Sequence, residues 1–437
     1  PRRPLPRPAG DGRDDVVAAS PRGRRQHGPH LPVAQLHVDR TRWRVAREDD
    51  GVTVVAGRPA QPLDERQAEV LAELGAVTFD FPTGGDAWHG TPAVDTGDAA
   101  GGDAAAPDGA GGGGDRGDGG AGEGGDGAGD TAAAGAEALV AAVLSQLAMT
   151  GVVLSVPKLP DGLLAPALTE LVRAPLPAPG ADPMEWEIRS VAQRREALRH
   201  HAGAFTPPDG RPGLARPPAV SALLVTRRPK MLARALAALA AQTYPELEVV
   251  VALHGIEAPD GLELPGPVIS VPAEWTLGEA LGAATRAASG SLVTKVDDND
   301  RYGPEHIWDL VLARYYSGAE VVGKGAEFVY LEPRDLTVRR RMTCEDYTDT
   351  VAGGTILLGR GDLEAVGGWP PVPRSVDRAL LDRVLAEGGA IYRTHALGFI
   401  YTRHGDGHTW DPGMDYFLTD PARRWQGLPP YPEFGTA

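Results

Sequence analysis

From Ala219 onward the chain alternates apolar, β-branched runs with amphipathic helices, and this alternation restricts the fold more than any other feature. Ala222-Leu223-Leu224-Val225, Val249-Val250-Val251-Ala252-Leu253, Val268-Ile269-Ser270-Val271 and Leu292-Val293-Thr294-Lys295-Val296 read as strands covered on both faces. Between the first two, Leu232, Leu236 and Leu239 recur at helical spacing; a later helix over 277–288 is stopped by Gly290. Repeated β-α-β units build an open, mostly parallel sheet, with a ligand crevice at the carboxyl ends of its strands.

The 437 residues exceed what one such unit needs, at roughly 100–200 residues per domain. Residues 1–30 are Arg- and Pro-rich and are expected to be disordered. Residues 31–93 and 132–205 read as a smaller α/β region of unassigned role. It has a β-branched strand at Val52-Thr53-Val54-Val55, an amphipathic helix over 64–74, a second helix over 138–149 and a short strand over 152–154. A charged helix over 184–200 carries Arg189, Arg194, Arg195 and Arg199, and a solvated face is the expected role of these arginines. Pro207-Pro208, Pro212 and Pro217-Pro218 form an extended connector to the domain at 217–410, and 411–437 reads as a C-terminal tail.

Between the two halves of the first region, residues 94–131 are almost entirely Gly, Ala and Asp. Nine acids stand there against Arg116 alone, so this insert holds half of the chain's net charge of -16. It has nothing to bury and much backbone entropy to lose, and is expected to be disordered.

An acidic chain is a poor nucleic-acid binder. Cys344 is the only cysteine, which excludes an intramolecular disulfide and a cysteine-built zinc site. No apolar run approaches the roughly 18–20 residues of a transmembrane helix. The opening residues have no apolar core of a secretory signal, and no initiator Met, as expected of a truncated or processed start. A cytoplasmic protein is the expectation.

Chemistry concentrates directly after the strand at 292–296. Asp297-Asp298-Asn299-Asp300 places three carboxylates and an amide at a strand end, a hard-oxygen set suited to Mg²⁺ or Mn²⁺. A cation there would neutralise diphosphate oxygens as a nucleotide departs. Taken alone, the tetrad fits an acidic cap on the helix over 306–316 equally well.

The tetrad is not alone. Val220-Ser221-Ala222-Leu223-Leu224-Val225-Thr226, Ala241-Gln242-Thr243-Tyr244-Pro245, Asp297 to Asp300 with Gly303-Pro304, and Gly353-Gly354-Thr355 with Val366-Gly367-Gly368-Trp369 occur in that order. Over about residues 219–410 the chain resembles family 2 of the inverting glycosyltransferases, which have the GT-A fold. The resemblance implies a Rossmann-like GT-A domain and inverting transfer of a hexose, with Mn²⁺ or Mg²⁺, from a nucleotide-sugar (a UDP-sugar in the usual case) to an acceptor hydroxyl. It also implies individual roles. Thr226 would lie near the nucleotide, Asp297 and Asp298 near the ribose or diphosphate, and Asp298, Asn299 and Asp300 around the metal. Asn299 stands where the family has its metal-ligating Asp, so Asp298 or Asp300 would carry the ion. His254 replaces an acidic pair that contacts the base.

An inverting transfer needs a general base within hydrogen-bond reach of the acceptor hydroxyl. By its place after the Gly-Gly-aromatic turn, Asp377 at the head of the helix over 378–387 is the candidate, with Asp382 as the alternative. His404 and His408, in a glycine-spaced loop, suit a metal ligand or a clamp on the diphosphate. Arg339-Arg340-Arg341 would suit an anionic acceptor or lipid phosphate at a peripheral membrane contact, although a solvated basic run is the default.

The acceptor classes consistent with these features are a cell-envelope glycan, a lipid-linked saccharide or a small molecule. Polysaccharide or glycoconjugate synthesis is the implied setting. Two other functions stay open: nucleotidyl transfer, although the first strand lacks a Gly-rich basic phosphate loop, and a non-catalytic nucleotide- or glycan-binding module.

Overall fold

The computed structural model describes residues 33–37, 42–48, 51–57, 76–80, 138, 140–178, 180–203, 216–405 and 413–435. The chain is mixed α/β and divides into two compact units. One contains β1 (Val33–His37), β2 (Arg42–Glu48), β3 (Gly51–Gly57) and β4 (Ala76–Asp80), most of β5 (Val153–Ser155), and α2 (Pro166–Arg173). Its sheet order is β2-β3-β1-β4-β5. The helix α1, over 140–149, has residues in both units and buries Val140, Leu144, Leu147 and Ala148. The expected helix over 64–74 and the insert over 94–131 lie outside the described residues, as does the N-terminal segment 1–30.

The other unit takes in residues 177–437. It opens with α3 (Pro183–His201) and continues through β6 (Val220–Thr226), α4 (Pro229–Ala240), β7 (Leu247–His254), β8 (Val268–Val271), α5 (Leu277–Ala287) and β9 (Leu292–Val296). Next come β10 (Arg301–Tyr302), α6 (His306–Ser317), β11 (Val321–Lys324), β12 (Phe328–Leu331), β13 (Leu336–Arg339), β14 (Asp346–Tyr347) and β15 (Leu357–Gly359). The described chain ends through α7 (Arg360–Ala365), α8 (Val376–Ala386), β16 (Ile391–Thr394), β17 (Phe399–Arg403), α9 (Met414–Leu418) and β18 (Arg423–Gln426).

Eight strands form one sheet in the order β14-β16-β11-β15-β9-β6-β7-β8. β6 pairs parallel with both β7 and β9, β7 with β8, and β11 with β16; β15 runs against β9 and β11, and β14 against β16. Six of the eight strands therefore point the same way. Along β6 successive side chains serve opposite layers, which explains its continuous apolar sequence. Leu223 packs with Leu281 and Ala284 of α5 and Leu380 and Leu381 of α8. Ala222 and Leu224 pack with Leu232, Leu236 and Leu239 of α4. The start of α5 is set by a reciprocal capping box between Thr276 and Glu279.

A second sheet, β10-β17-β12-β13-β18, is not foreseen from the sequence. Its last strand lies in the stretch read as a tail: Trp425 pairs opposite Thr337 of β13 and is buried against Phe328. Apolar Trp425 and Phe434 give this segment surface to bury, which the sequence reading undervalued.

The expected solvated face on α3 is also overturned. α3 belongs to the same compact unit as the eight-stranded sheet, and its arginines enter buried ion pairs. Arg194 lies 2.7 Å from Glu345, with its guanidinium over the Tyr316 ring; Arg195 lies 2.8 Å from Asp309, which also takes Lys324 at 2.8 Å. Acidic partners over 100 residues away supply the neutralisation that no helix-local charge pattern reveals. Likewise Arg339 pairs with Glu187 and Glu327, while Arg340 stacks over Tyr416. Among the described residues no helix is long and apolar enough to cross a membrane.

Candidate active site

The carboxyl ends of β6, β7 and β9 bring Thr226, His254 and the 297–300 tetrad to one edge of the sheet. The tetrad divides there into two pairs. Asp298 and Asn299 turn toward β6 and α4. The Thr226 hydroxyl donates to Asp298 Oδ2 at 2.5 Å, Arg228 Nε donates to the same oxygen at 3.2 Å, and Arg228 Nη2 donates to Asp298 Oδ1 and, at 2.7 Å, to Asn299 Oδ1. Arg234 Nη2 holds the Asn299 carbonyl at 2.7 Å. Both side chains thus meet the Arg228 guanidinium.

Asp297 and Asp300 turn instead toward Gly353-Gly354. A methyl group built on Gly354 would lie 2.9 Å from Asp297 Oδ2, 3.0 Å from Asp300 Oδ2 and 2.8 Å from the Tyr302 hydroxyl. That hydroxyl donates to the Gly354 carbonyl at 3.0 Å and accepts from the Asp297 N–H at 2.9 Å. Asp300 Oδ1 accepts from the Thr402 N–H at 2.9 Å. Burial first, and then the charge of Asp297, push the Asp300 carboxyl well above its ordinary range, against the pull of Thr402 and Lys295.

Asp377 joins these two acids. Ser375 precedes it at φ 58°, a left-handed turn that launches α8 at a cost of roughly 1–2 kcal/mol. The Asp377 carboxylate then lies against Gly353, where an added Cβ would come within 1.9 Å of Oδ2. Lys295 Nζ bridges the acids, 2.7 Å from Asp297 Oδ1 and 3.3 Å from Asp377 Oδ2. Burial opposes the Lys295 charge, but the two carboxylates outweigh it and raise the ammonium above its usual range. Asp377 is itself raised, by burial first and then by Asp297, with Lys295 opposing. Its side chain is 31% exposed, while Oδ1 itself is buried with no hydrogen-bond partner.

The three histidines named from the sequence lie as follows. His254 is buried, its Nδ1 accepting from Arg227 Nε at 3.1 Å and its Nε2 lying 2.9 Å from the Trp275 carbonyl. Burial first, and then the Arg227 charge, lower its pKa, and both ring nitrogens meet groups of the protein. His404 meets Glu332 at 2.5 Å, in the second sheet, and not a member of the tetrad. His408 lies outside the described residues.

Lys295, Arg228 and Tyr302 are the site residues that the sequence reading missed. Lys295 carried a signal: a lysine inside a strand covered on both faces requires a buried counter-charge. The donor set admits a divalent cation, because Asp297 and Asp300 place hard oxygens about one glycine. Among the described residues no group of three His, Cys, Asp or Glu side chains could hold a metal. Two carboxylates with the remainder from phosphate and water is nonetheless a common set for Mg²⁺.

No family model matches the chain, and no curated protein matches it. Among solved structures it is similar to the mannosyltransferase PcManGT from Pyrobaculum calidifontis in complex with GDP-Man and Mn²⁺, at 17% identity over 44% of this chain and 59% of that one, with a TM-score of 0.34. It is also similar to S. aureus TarS 1-349 in complex with UDP-GlcNAc, at 17% identity over 44% of this chain and 60% of that one, with a TM-score of 0.33. The chain spans about three fifths of the length of these structures. Function rests on the site's own geometry.

Proposed function

We propose that residues 217–410 transfer a sugar from a nucleotide-sugar to an acceptor hydroxyl with inversion. The observation that carries this reading is the convergence of Asp297, Asp300 and Asp377 on Gly353-Gly354, at the carboxyl end of a mostly parallel sheet. In the reaction the acceptor oxygen forms a bond to the anomeric carbon, while the Asp377 carboxylate takes the hydroxyl proton. The bond from that carbon to the diphosphate breaks, and the electron pair leaves with the nucleotide. Asp297 and Asp300 would hold Mn²⁺ or Mg²⁺, which would neutralise diphosphate charge. Arg228, 44% exposed at the head of α4, offers a second cation at the same edge. Thr226 and Asp298 would bound the nucleotide, with a uridine base implied by the sequence resemblance. The pairing of both His254 nitrogens leaves base recognition to other groups.

A thermal-shift screen of UDP-, GDP- and dTDP-sugars, each with and without Mn²⁺, identifies the donor by stabilisation of the bound state. Metal-dependent release of nucleoside diphosphate from the stabilising donor then supports sugar transfer. Release of pyrophosphate from a nucleoside triphosphate would replace this reading with nucleotidyl transfer. Donor binding with no turnover across acceptors would make the unit a binding module. Asp300→Ala should weaken donor binding only when metal is present; equal loss without metal removes the ion from Asp300.

A further inference from the structure

β10 separates two environments. Tyr302 points to the acid cluster, whereas Arg301, paired opposite Ile400 of β17, belongs to the other face of the second sheet. On that face the segment 428–435 folds back across the strands. Arg301, Ile400, Leu428, Pro430, Tyr431 and Phe434 help to enclose a cavity of about 320 Å³, within the size range of small-ligand pockets. Its cover is fixed in place. The Tyr431 hydroxyl donates to Asp182 Oδ2 at 2.6 Å, and the Glu433 carbonyl packs so closely on Gly303 that a Cβ there would lie 1.8 Å away.

The polar feature of this apolar enclosure is the Arg301 guanidinium. Its Nε is buried without a hydrogen-bond partner, and among the described residues Arg301 forms no ion pair. The Tyr330 ring, 5.8 Å from the guanidinium, offers only weak compensation. A half-buried guanidinium that forms no ion pair among the described residues, beside an open volume, is complementary to an anion, which its planar fork can bind at two points.

We propose that this cavity binds a small organic anion, a carboxylate or phosphate ester on an aromatic or aliphatic body. Arg301 takes the charged group, and Ile400, Leu428 and Phe434 cover the apolar part. The proposal does not depend on sugar transfer being the reaction.

The test uses the full chain, with phenyl phosphate, benzoate and neutral benzyl alcohol as probes in an NMR titration. Both anions should bind saturably, and benzyl alcohol at least about tenfold more weakly, the scale of a charged hydrogen bond. The tighter of the two anions identifies the headgroup class. Arg301→Gln should weaken anion binding by a similar factor. Leu428→Trp, which fills the cavity from its cover and leaves β10 intact, should abolish it even if the first variant fails to fold. Equal binding of the alcohol, unchanged binding in Leu428→Trp, or displacement of the probes by UDP or GDP would overturn the proposal.

Discussion

Lys295 Nζ lies 3.3 Å from Asp377 Oδ2, joining a strand of the central sheet to the head of a helix 82 residues later. The same ammonium holds Asp297 at 2.7 Å. One buried cation thus sets the spacing between the proposed base and the acid that faces the donor. Because Lys295 engages only Oδ2, the second oxygen of Asp377 stays unpaired. This division suits a base that must be both fixed in position and open to a proton.

Asp377→Asn keeps the side chain's shape but cannot take the acceptor's proton. The rate of transfer should fall by about 10²–10⁴-fold while donor affinity stays near wild type. Single-turnover kinetics alongside donor titration measure both. Full-rate transfer by the variant would move the base elsewhere, with Asp382 the alternative, although that residue is exposed and paired with Arg378 at 2.8 Å.

Gly353→Ala tests the same geometry from the opposite side. The new methyl would collide with Asp377 Oδ2 at 1.9 Å, so the carboxylate must rotate away from Lys295. Turnover should drop about as far as in Asp377→Asn, because a misplaced base is as ineffective as an absent one. Wild-type turnover in Gly353→Ala would show that the position of Asp377 does not matter.

The parallel strands and the helices between them were legible because burial on both faces leaves a continuous apolar signature, seen in Leu223, Val250 and Val293. The tetrad was legible as chemistry, but its division was not. Whether a carboxylate faces Arg228 or Gly354 depends on the direction each side chain takes after β9 ends, and composition does not encode that direction. Arg194 and Arg195 misled for a related reason. On a helix wheel they resemble a solvated face, and their partners Glu345 and Asp309 meet them only through the tertiary fold. The short strands of the second sheet, such as the two-residue β10, are below the length at which periodicity speaks.

The Arg194–Glu345 pair should matter to stability far more than a surface salt bridge. Both side chains are less than a tenth exposed, so Arg194→Met leaves Glu345 buried beside Tyr316 and Tyr392 without its cation. Removing one partner of a buried pair costs about 3–5 kcal/mol, and urea unfolding should shift accordingly. Exposed Lys230→Ala should move stability by no more than about 0.5 kcal/mol. Equal shifts in the two variants would mean that the α3 arginines are solvated after all.

Two buried histidines predict how stability depends on pH. His306 is buried between Tyr302 and Phe399, and neither ring nitrogen has a hydrogen-bond partner. Burial first, and then the Lys324 charge, hold its pKa well below the ordinary value, against Asp309. His395 is lowered in the same way by burial and Lys324, again opposed by Asp309. The unfolded chain takes up these protons near pH 6.5, whereas the folded chain does not. Stability is therefore complete above about pH 6.5 and falls as pH drops below it, by up to about 1.4 kcal/mol per pH unit for each histidine. Asp309 acts in a separate window. Burial raises its pKa, but Arg195 and Lys324 prevail and hold it well below the usual range, so its contribution is lost only as pH falls below about 4. Urea midpoints at pH 7.5, 6.5 and 5.5 should descend across the last interval, and His306→Phe, which keeps a ring between Tyr302 and Phe399, should remove part of that descent. Parallel descents in wild type and variant would show that His306 is protonated equally in the folded and unfolded chain.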